Sequence, residues 1–438
     1  MSAAHDADRR QVVLGLAAPR AAWFAEVTRL AAGGSLGLEF VKCVSVAELR
    51  ARLGSGRRWS AVLVDADVPG LDRDLIGAAH AAGAAVLVVD GRGQRDWAAL
   101  GADGVLPPRL ERAVLDDALR AVARPVRRTT PRQGEPAATT AAASHLGALV
   151  VVTGDPGAGA STVAMGVAQH AAATSPGAAV LADLCLDADQ AVLHGVGDVV
   201  PGLPELVEAH RHGTPSPGSV AQLLSDIDER GYHLRLGLRR HRDWAALRPR
   251  AFEAAMGSLR ATHTTVVCDV EADVEGERET GSLEVQDRNL LSRTAIATAT
   301  TVVVVGTPSL KGLHGLVRAT QGLLRFGVEP DRLAVVVNRA PRGPRARAEV
   351  SRAVGELLDR PRAEVVCVPE LRALEACVRD RRALPAALVG PAGRAARTDR
   401  AERDGPAPLV PQRVAPGDLG HWADDDGDEL GGFGRSSA

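Results

Sequence analysis

Residues Val150 to Thr162 read V-V-V-T-G-D-P-G-A-G-A-S-T. A β-branched apolar run enters a glycine-rich loop, and Ser161 and Thr162 open an alanine-rich stretch of helical character. Strand, loop and helix in that order surround an anion with backbone N–H groups and a helix N-terminus, the arrangement that cradles phosphates. Against the pattern G-x-x-x-x-G-K-[ST], Gly154, Gly159 and Ser161 stand in place and Ala160 holds the lysine position. The cradle is kept, and the cation that reaches the outer phosphates is not.

Working outward, the 438 residues suffice for two or three domains. A net charge of −2 gives no global pull toward nucleic acid or an acidic membrane surface. Lys42 and Lys311 are the only lysines among 52 basic residues, so arginine replaces lysine almost throughout. The five cysteines, Cys43, Cys185, Cys268, Cys367 and Cys377, are scattered without metal-ligand spacing, as expected of reduced cysteines in a cytoplasmic protein. The N-terminus lacks an apolar signal core, and no apolar run is long enough to span a membrane.

Residues 11–123 alternate short apolar runs with helical patterns. Strands are expected at Val12–Leu16, Leu38–Val41, Ala61–Val64, Ala85–Val89 and Gly104–Leu106, with helices such as Ala21–Ala32 and Val46–Leu53 between them. Residues 124–146, rich in Pro, Thr, Ala and Arg, read as a disordered linker. A second alternating block covers 147–390. Its strands are expected at Ala148–Val152, Ala178–Ala182, His233–Leu238, Thr265–Cys268, Thr301–Val305, Leu333–Val337 and Glu364–Val368. The last four are continuous apolar runs, as in strands buried on both faces. From Pro391 to 438 the composition reads as a disordered tail. The expected class is therefore α/β, with two doubly wound parallel sheets.

Thr265–Asp269 has the form of an apolar strand ending in an acid, the place from which a carboxylate approaches Mg²⁺. The blander reading of Asp269 is a turn or cap residue.

The order of motifs resembles the MinD/ParA ATPases. It runs from the loop through V-L-A-D (Val180–Asp183), V-V-C-D (Val266–Asp269), V-V-V-V-G-T-P (Val302–Pro308) and V-V-V-N-R (Val335–Arg339) to V-C-V-P-E (Val366–Glu370). The branch it is most similar to is CpaE/TadZ, with the actinobacterial septum-site-determining proteins, which place a receiver-like domain before the ATPase-like one. The resemblance implies ATP and Mg²⁺ as cofactors. Gly154, Gly157, Gly159, Ala160, Ser161 and Thr162 would line the phosphates, and Ser161 and Asp269 would hold the metal. Asn338 and Arg339 would sit by the adenine, with Pro369 and Glu370 bordering the base. It further implies a homodimer, and protein partners in the divisome or the Flp/Tad pilus secretion machine, reached from the cytoplasm or at the inner membrane face.

Two departures bear on chemistry. The second lysine of this family's loop is Asp155 here. The acid two residues after Asp183, used to position attacking water, is Cys185. Asp183 is left as the one catalytic candidate. With three preorganised groups gone, ATP is expected to bind weakly or not at all, with no meaningful turnover. The rivals are a working ATPase whose cation comes from an arginine or from Lys311, and a DNA-associated protein using Arg239–Arg242 or Arg342, Arg345 and Arg347.

In the first block, Val62–Pro69 (V-L-V-D-A-D-V-P) resembles the phosphoacceptor strand of response-regulator receivers, with Asp65 as the acceptor. Gly15–Pro19 carries no acid pair, Pro107 stands at the lysine position, and Val89-Asp90-Gly91 has no hydroxyl. A pseudo-receiver is expected, with Asp65 as a turn residue. Glu271–Glu284 is a candidate partner-binding loop, and Leu313–Phe326 a core-packing helix with His314 at the surface.

Overall fold

The computed structural model describes residues 9–19, 21–33, 37–124, 126–127, 146–174, 177–358 and 365–396. The body of the expected linker (128–145), the tail beyond 396 and Glu364 lie outside the described residues.

The first sheet contains β1 (Arg9–Leu16), β2 (Leu38–Cys43), β3 (Ala61–Asp65), β4 (Ala85–Val89) and β5 (Gly104–Leu106) in the parallel order β2-β1-β3-β4-β5. That is a doubly wound order. Helices α1 (Ala22–Ala32), α2 (Val46–Leu53), α3 (Arg73–Ala81) and α4 (Arg112–Val122) cover its faces. β3 up to Val64 and β4 throughout are apolar because both their faces are covered. The start of the expected linker is not free: β6 (Val126–Arg127) pairs antiparallel with β1 at Arg9 and Arg10.

The second sheet is larger. Its strands are β7 (Ala148–Gly154), β8 (Ala179–Asp183), β9 (Ser225–Ile227), β10 (Tyr232–Arg235), β11 (Thr265–Asp269), β12 (Thr301–Gly306), β13 (Leu333–Ala340) and β14 (Val365–Pro369). They lie in the order β14-β13-β12-β7-β11-β8-β10-β9, parallel except for β9. The chain winds from β7 to β8 and β11 on one side, then crosses to β12 on the other. β7 thus marks the point outside whose carboxyl end such sheets bind ligands. Helix α5 (Ala160–Thr174) follows β7 directly. The α/β class with parallel sheets is as expected.

Three local expectations change. The strand expected at His233–Leu238 ends at Arg235, because Gly237 passes close against Asp183 and Ala188 instead of extending the ladder. Edge strand β9, with the sequence S-D-I, carries no apolar signal. Pro391 does not open the tail; it sits inside a helix running Ala386–Ala396. Gly166 of α5 lets Ala392 and Leu388 approach, and Gly393 makes room for His170. Packing on α5 thus overrides proline as a stop signal.

The two sheets meet through α3. Asp72 caps α3 at Leu75 N (2.8 Å) and accepts from Arg211 Nε (2.8 Å), which lies on α7 (Leu203–His212). Arg73 donates to the carbonyls of His210 and Gly213. Asp74 accepts from Arg250 N at 2.9 Å, so it caps the N-terminus of the helix Pro249–Thr262 from the other sheet's unit. Asp72 is 1% exposed, so removing Arg211 leaves a buried carboxylate with Leu75 N and the more distant Arg50 (3.7 Å) as its remaining partners. Arg211→Ala combined with Asp74→Ala is expected to cost about 1–3 kcal/mol of docking free energy. Small-angle scattering should show a larger radius of gyration, and superimposable curves would refute the coupling.

His210 is buried at this junction, with Nδ1 against Leu206 O and Nε2 against Ser258 Oγ. Burial lowers its pKa below the ordinary 6.5. The unfolded chain therefore takes up the proton first as pH falls. Stability from this group is full above about pH 6.5 and declines below it. In melting curves from pH 7.5 to 5, His210→Gln should lose less stability than the parent chain; equal losses would contradict this.

Candidate functional site

The loop after β7 is built by glycines at positions where other residues would be strained or would clash. Gly157 (φ +84°) and Gly159 (φ +88°) take left-handed backbone. Gly154 pairs in register beside Val305, where a Cβ would lie 2.4 Å from a backbone carbonyl. Asn338, at the end of β13, reaches under the loop and donates from Nδ2 to Ala158 O at 2.9 Å. A Cβ on Gly159 would strike that amide. Asn338 is thus buried and committed to the loop backbone. Arg339 beside it is exposed, with φ +54°. Ala160 begins α5, and Ser161 and Thr162 lie in its first turn. Pro369 ends β14 three strands away from β7, and Arg342 holds Glu370 through its carbonyl.

Asp155 is paired. Arg318 Nη2, from the helix Leu310–Phe326, donates to its two oxygens at 2.9 and 3.0 Å. Gly315 of the same helix leaves the space that the carboxylate fills, since a Cβ there would lie 1.9 Å from Oδ2. Lys311, exposed, stands four residues before Gly315 and so on the same helix face.

The sheet register sets the acids side by side. β7, β11 and β8 are neighbours, and Asp269 pairs directly with Asp183. Asp183 is 1% and Asp269 2% exposed. Asp183 Oδ1 accepts from Cys185 N (3.3 Å) and Oδ2 from Gln190 N (2.9 Å). Gln190, which opens α6 (Gln190–His194) and is fully buried, turns its side chain back into the site. Its Nε2 donates to Asp269 Oδ2 at 2.7 Å and to Ser161 O at 3.3 Å. The Ser161 hydroxyl lies near enough to Asp269 to favour its ionised form. His194 fixes α6, with its ring between Gln190 O and Tyr232 OH. Asp269 Oδ1 and Gln190 Oε1 are buried without partners.

Burial first, and the Asp269 charge second, hold the Asp183 carboxyl well above the usual range. Burial likewise raises Asp269, against hydrogen bonds from Gln190 and Ser161. Two carboxylates this close and dry do not both ionise unless a cation joins them. Burial and the surrounding acids push the Cys185 thiol up too. Donor atoms of Asp183, Cys185 and Asp269 all lie within 4.8 Å of one another.

The structure places the loop glycines, Ser161, Asp183 and Asp269 at one end of the sheet, and Asn338, expected by the adenine, under the loop with its amide on Ala158 O. Gln190, Arg318 and Cys185 as a donor were missed. No motif marks Gln190, seven residues past Asp183; only the fold returns it to the site. In Mg·ATP terms, Ser161 and Asp269 are the oxygens to hold the metal, yet an amide N–H₂ lies against Asp269 where a cation needs an acceptor. For the phosphates the loop offers backbone amides, a neutralised carboxylate at 155 and no lysine. The site fits a divalent cation better than a triphosphate.

Among the described residues no helix is long and apolar enough to cross a membrane. No family model and no curated protein matches the chain. Among solved structures it is similar to a ParA-family ATPase from Chlorobium tepidum (14% identity, 56% of this chain and 98% of that one, TM-score 0.46). It is also similar to the cell division ATPase MinD of Pyrococcus furiosus (17% identity, 56% and 97%, TM-score 0.42). A third similar structure is Cyanothece McdA in complex with ATP (15% identity, 57% and 95%, TM-score 0.43).

Proposed function

We propose that the chain is a MinD/CpaE-like positioning or regulatory protein, acting in septum site determination or in localising a Flp/Tad pilus secretion machine. In this reading it works as a protein–protein platform, and its loop binds ATP–Mg²⁺ weakly or not at all without turning it over. The observation that carries this is the way the loop's functional positions are satisfied from within. Arg318 neutralises Asp155, Gln190 bridges the Ser161 backbone carbonyl and the Asp269 carboxylate, and Asn338 holds the Ala158 carbonyl. Positioned charge does most of the work in phosphoryl transfer, and here that charge is absent or turned inward.

The first unit is read as a pseudo-receiver. Both Asp65 oxygens are engaged, Oδ2 by Trp23 Nε1 (2.8 Å) and Oδ1 by Asp67 N (2.9 Å). That suits a turn residue better than a phosphoacceptor.

A second reading has one specific observation behind it. Arg318 and Lys311 lie on a helix face beside the loop, so a working ATPase would draw its cation from there. Calorimetric titration of Mg·ATP into the full chain, with sedimentation in both states, separates the two. No binding and an unchanged oligomeric state support the platform. Tight binding with nucleotide-driven dimerisation, lost in Arg318→Ala or Lys311→Ala, supports the switch.

A further inference from the structure

We propose that Asp183, Cys185 and Asp269 form a nucleotide-independent binding site for a thiophilic divalent transition metal of the Zn²⁺ class, with Gln190 as its fourth donor. The proposal stands apart from the platform reading, since it needs neither ATP nor a partner.

The placement is fixed by the sheet. Asp183 and Asp269 end adjacent parallel strands in direct register, and Cys185 follows Asp183 by two residues on the same turn. Their donor atoms already fall within 4.8 Å of one another. A tetrahedral zinc ion, with bonds of about 2.0–2.3 Å, needs donors roughly 3.5 Å apart, so a modest contraction closes the site. The thiol selects the metal: sulfur suits Zn²⁺ or Co²⁺ and disfavours Mg²⁺ and Ca²⁺, which prefer oxygen.

An independent observation points to the same centre. Gln190 is fully buried, yet its Oε1 has no partner, and Asp269 Oδ1 beside it has none either. Turning the amide over exchanges Nε2 for Oε1 against Asp269. An oxygen there is repelled without a cation and becomes a ligand with one. Binding M²⁺ releases the Cys185 proton and the proton held by the acid pair, and leaves the neutral amide oxygen as the last donor. Cys185 is the partly exposed member and supplies the entry path.

Cobalt is the probe. The full-length, chelator-treated chain is titrated with Co²⁺ in the absence of nucleotide. One equivalent should produce thiolate-to-cobalt charge-transfer absorption in the near ultraviolet and the intense visible bands of tetrahedral Co²⁺. Zn²⁺ should displace it, and excess Mg²⁺ should not. Cys185→Ser should abolish the charge-transfer absorption, while Cys43→Ser keeps it. Gln190→Ala should weaken binding about tenfold or more, with circular dichroism confirming that each variant is folded. The proposal is overturned if the parent chain gives no such absorption, if it survives Cys185→Ser, or if Mg²⁺ displaces the cobalt. ATP binding, measured separately, decides the platform reading and leaves this result untouched.

Discussion

Arg235→Ala is expected to destabilise the second unit by about 3–5 kcal/mol, the range for uncovering buried polar partners of a lost ion. Arg235 ends β10 and is fully buried. Its guanidinium donates to the carbonyls of Leu223, Pro201 and Leu236. Burial draws its pKa down to about 10, so at neutral pH it remains a cation solvated by backbone oxygens. Truncation leaves three carbonyls without their donor, each costing about 1–3 kcal/mol where water does not replace it, and empties a long side chain's volume. Arg235→Met restores much of the volume but none of the donors, so it should recover only part of the loss. Arg235→Lys also falls short, because one ammonium does not reach around three acceptors that a planar fork bridges. Urea unfolding measures each. A loss below about 1 kcal/mol for Arg235→Ala would mean that the loop carrying Pro201 and Leu223 relaxes to water without cost.

The parts of this structure written in local sequence are the ones the sequence reading reaches. Parallel strands buried on both faces are bare apolar runs, so β7, β11 and β12 declare themselves. The glycines at 157 and 159 declare a left-handed loop because other residues strain there. What stays hidden is what the sheet order decides. Nothing local says that β11 lies between β7 and β8, yet that order alone places Asp269 against Asp183. Gln190 reads as an ordinary polar residue until α6 folds it back onto Ser161. Arg318 lies 163 residues from its partner Asp155, on a helix whose periodicity reports only its core face. Cys185 reads as a substitution when set against the family pattern; the structure shows it as a donor beside two acids.

Ala160→Lys is expected to raise affinity for Mg·ATP about a hundredfold and to leave hydrolysis at background. A lysine at the first residue of α5 starts where the loop meets the helix, and one charged contact to phosphate in a partly dry site is worth roughly 3 kcal/mol. Turnover needs more than that cation. Cys185 supplies no carboxylate to orient water, Asp155 ties up Arg318 in an ion pair, and the Gln190 amide lies against the Asp269 oxygen that would hold the metal. Asp155→Gly added to Ala160→Lys should strengthen binding further, because it frees Arg318 from its ion pair to face the nucleotide. Only with Cys185→Asp as well is turnover expected, as each restored group recovers about two orders of magnitude. Fluorescent-nucleotide titration and phosphate release across the single, double and triple variants test the order of gains. Brisk turnover in Ala160→Lys alone would mean that the missing lysine was the one lesion. Turnover in the parent chain that vanishes in Arg318→Ala would mean that the helix Leu310–Phe326 already supplies the cation. The second result, turnover in the parent chain, would replace the platform with a switch.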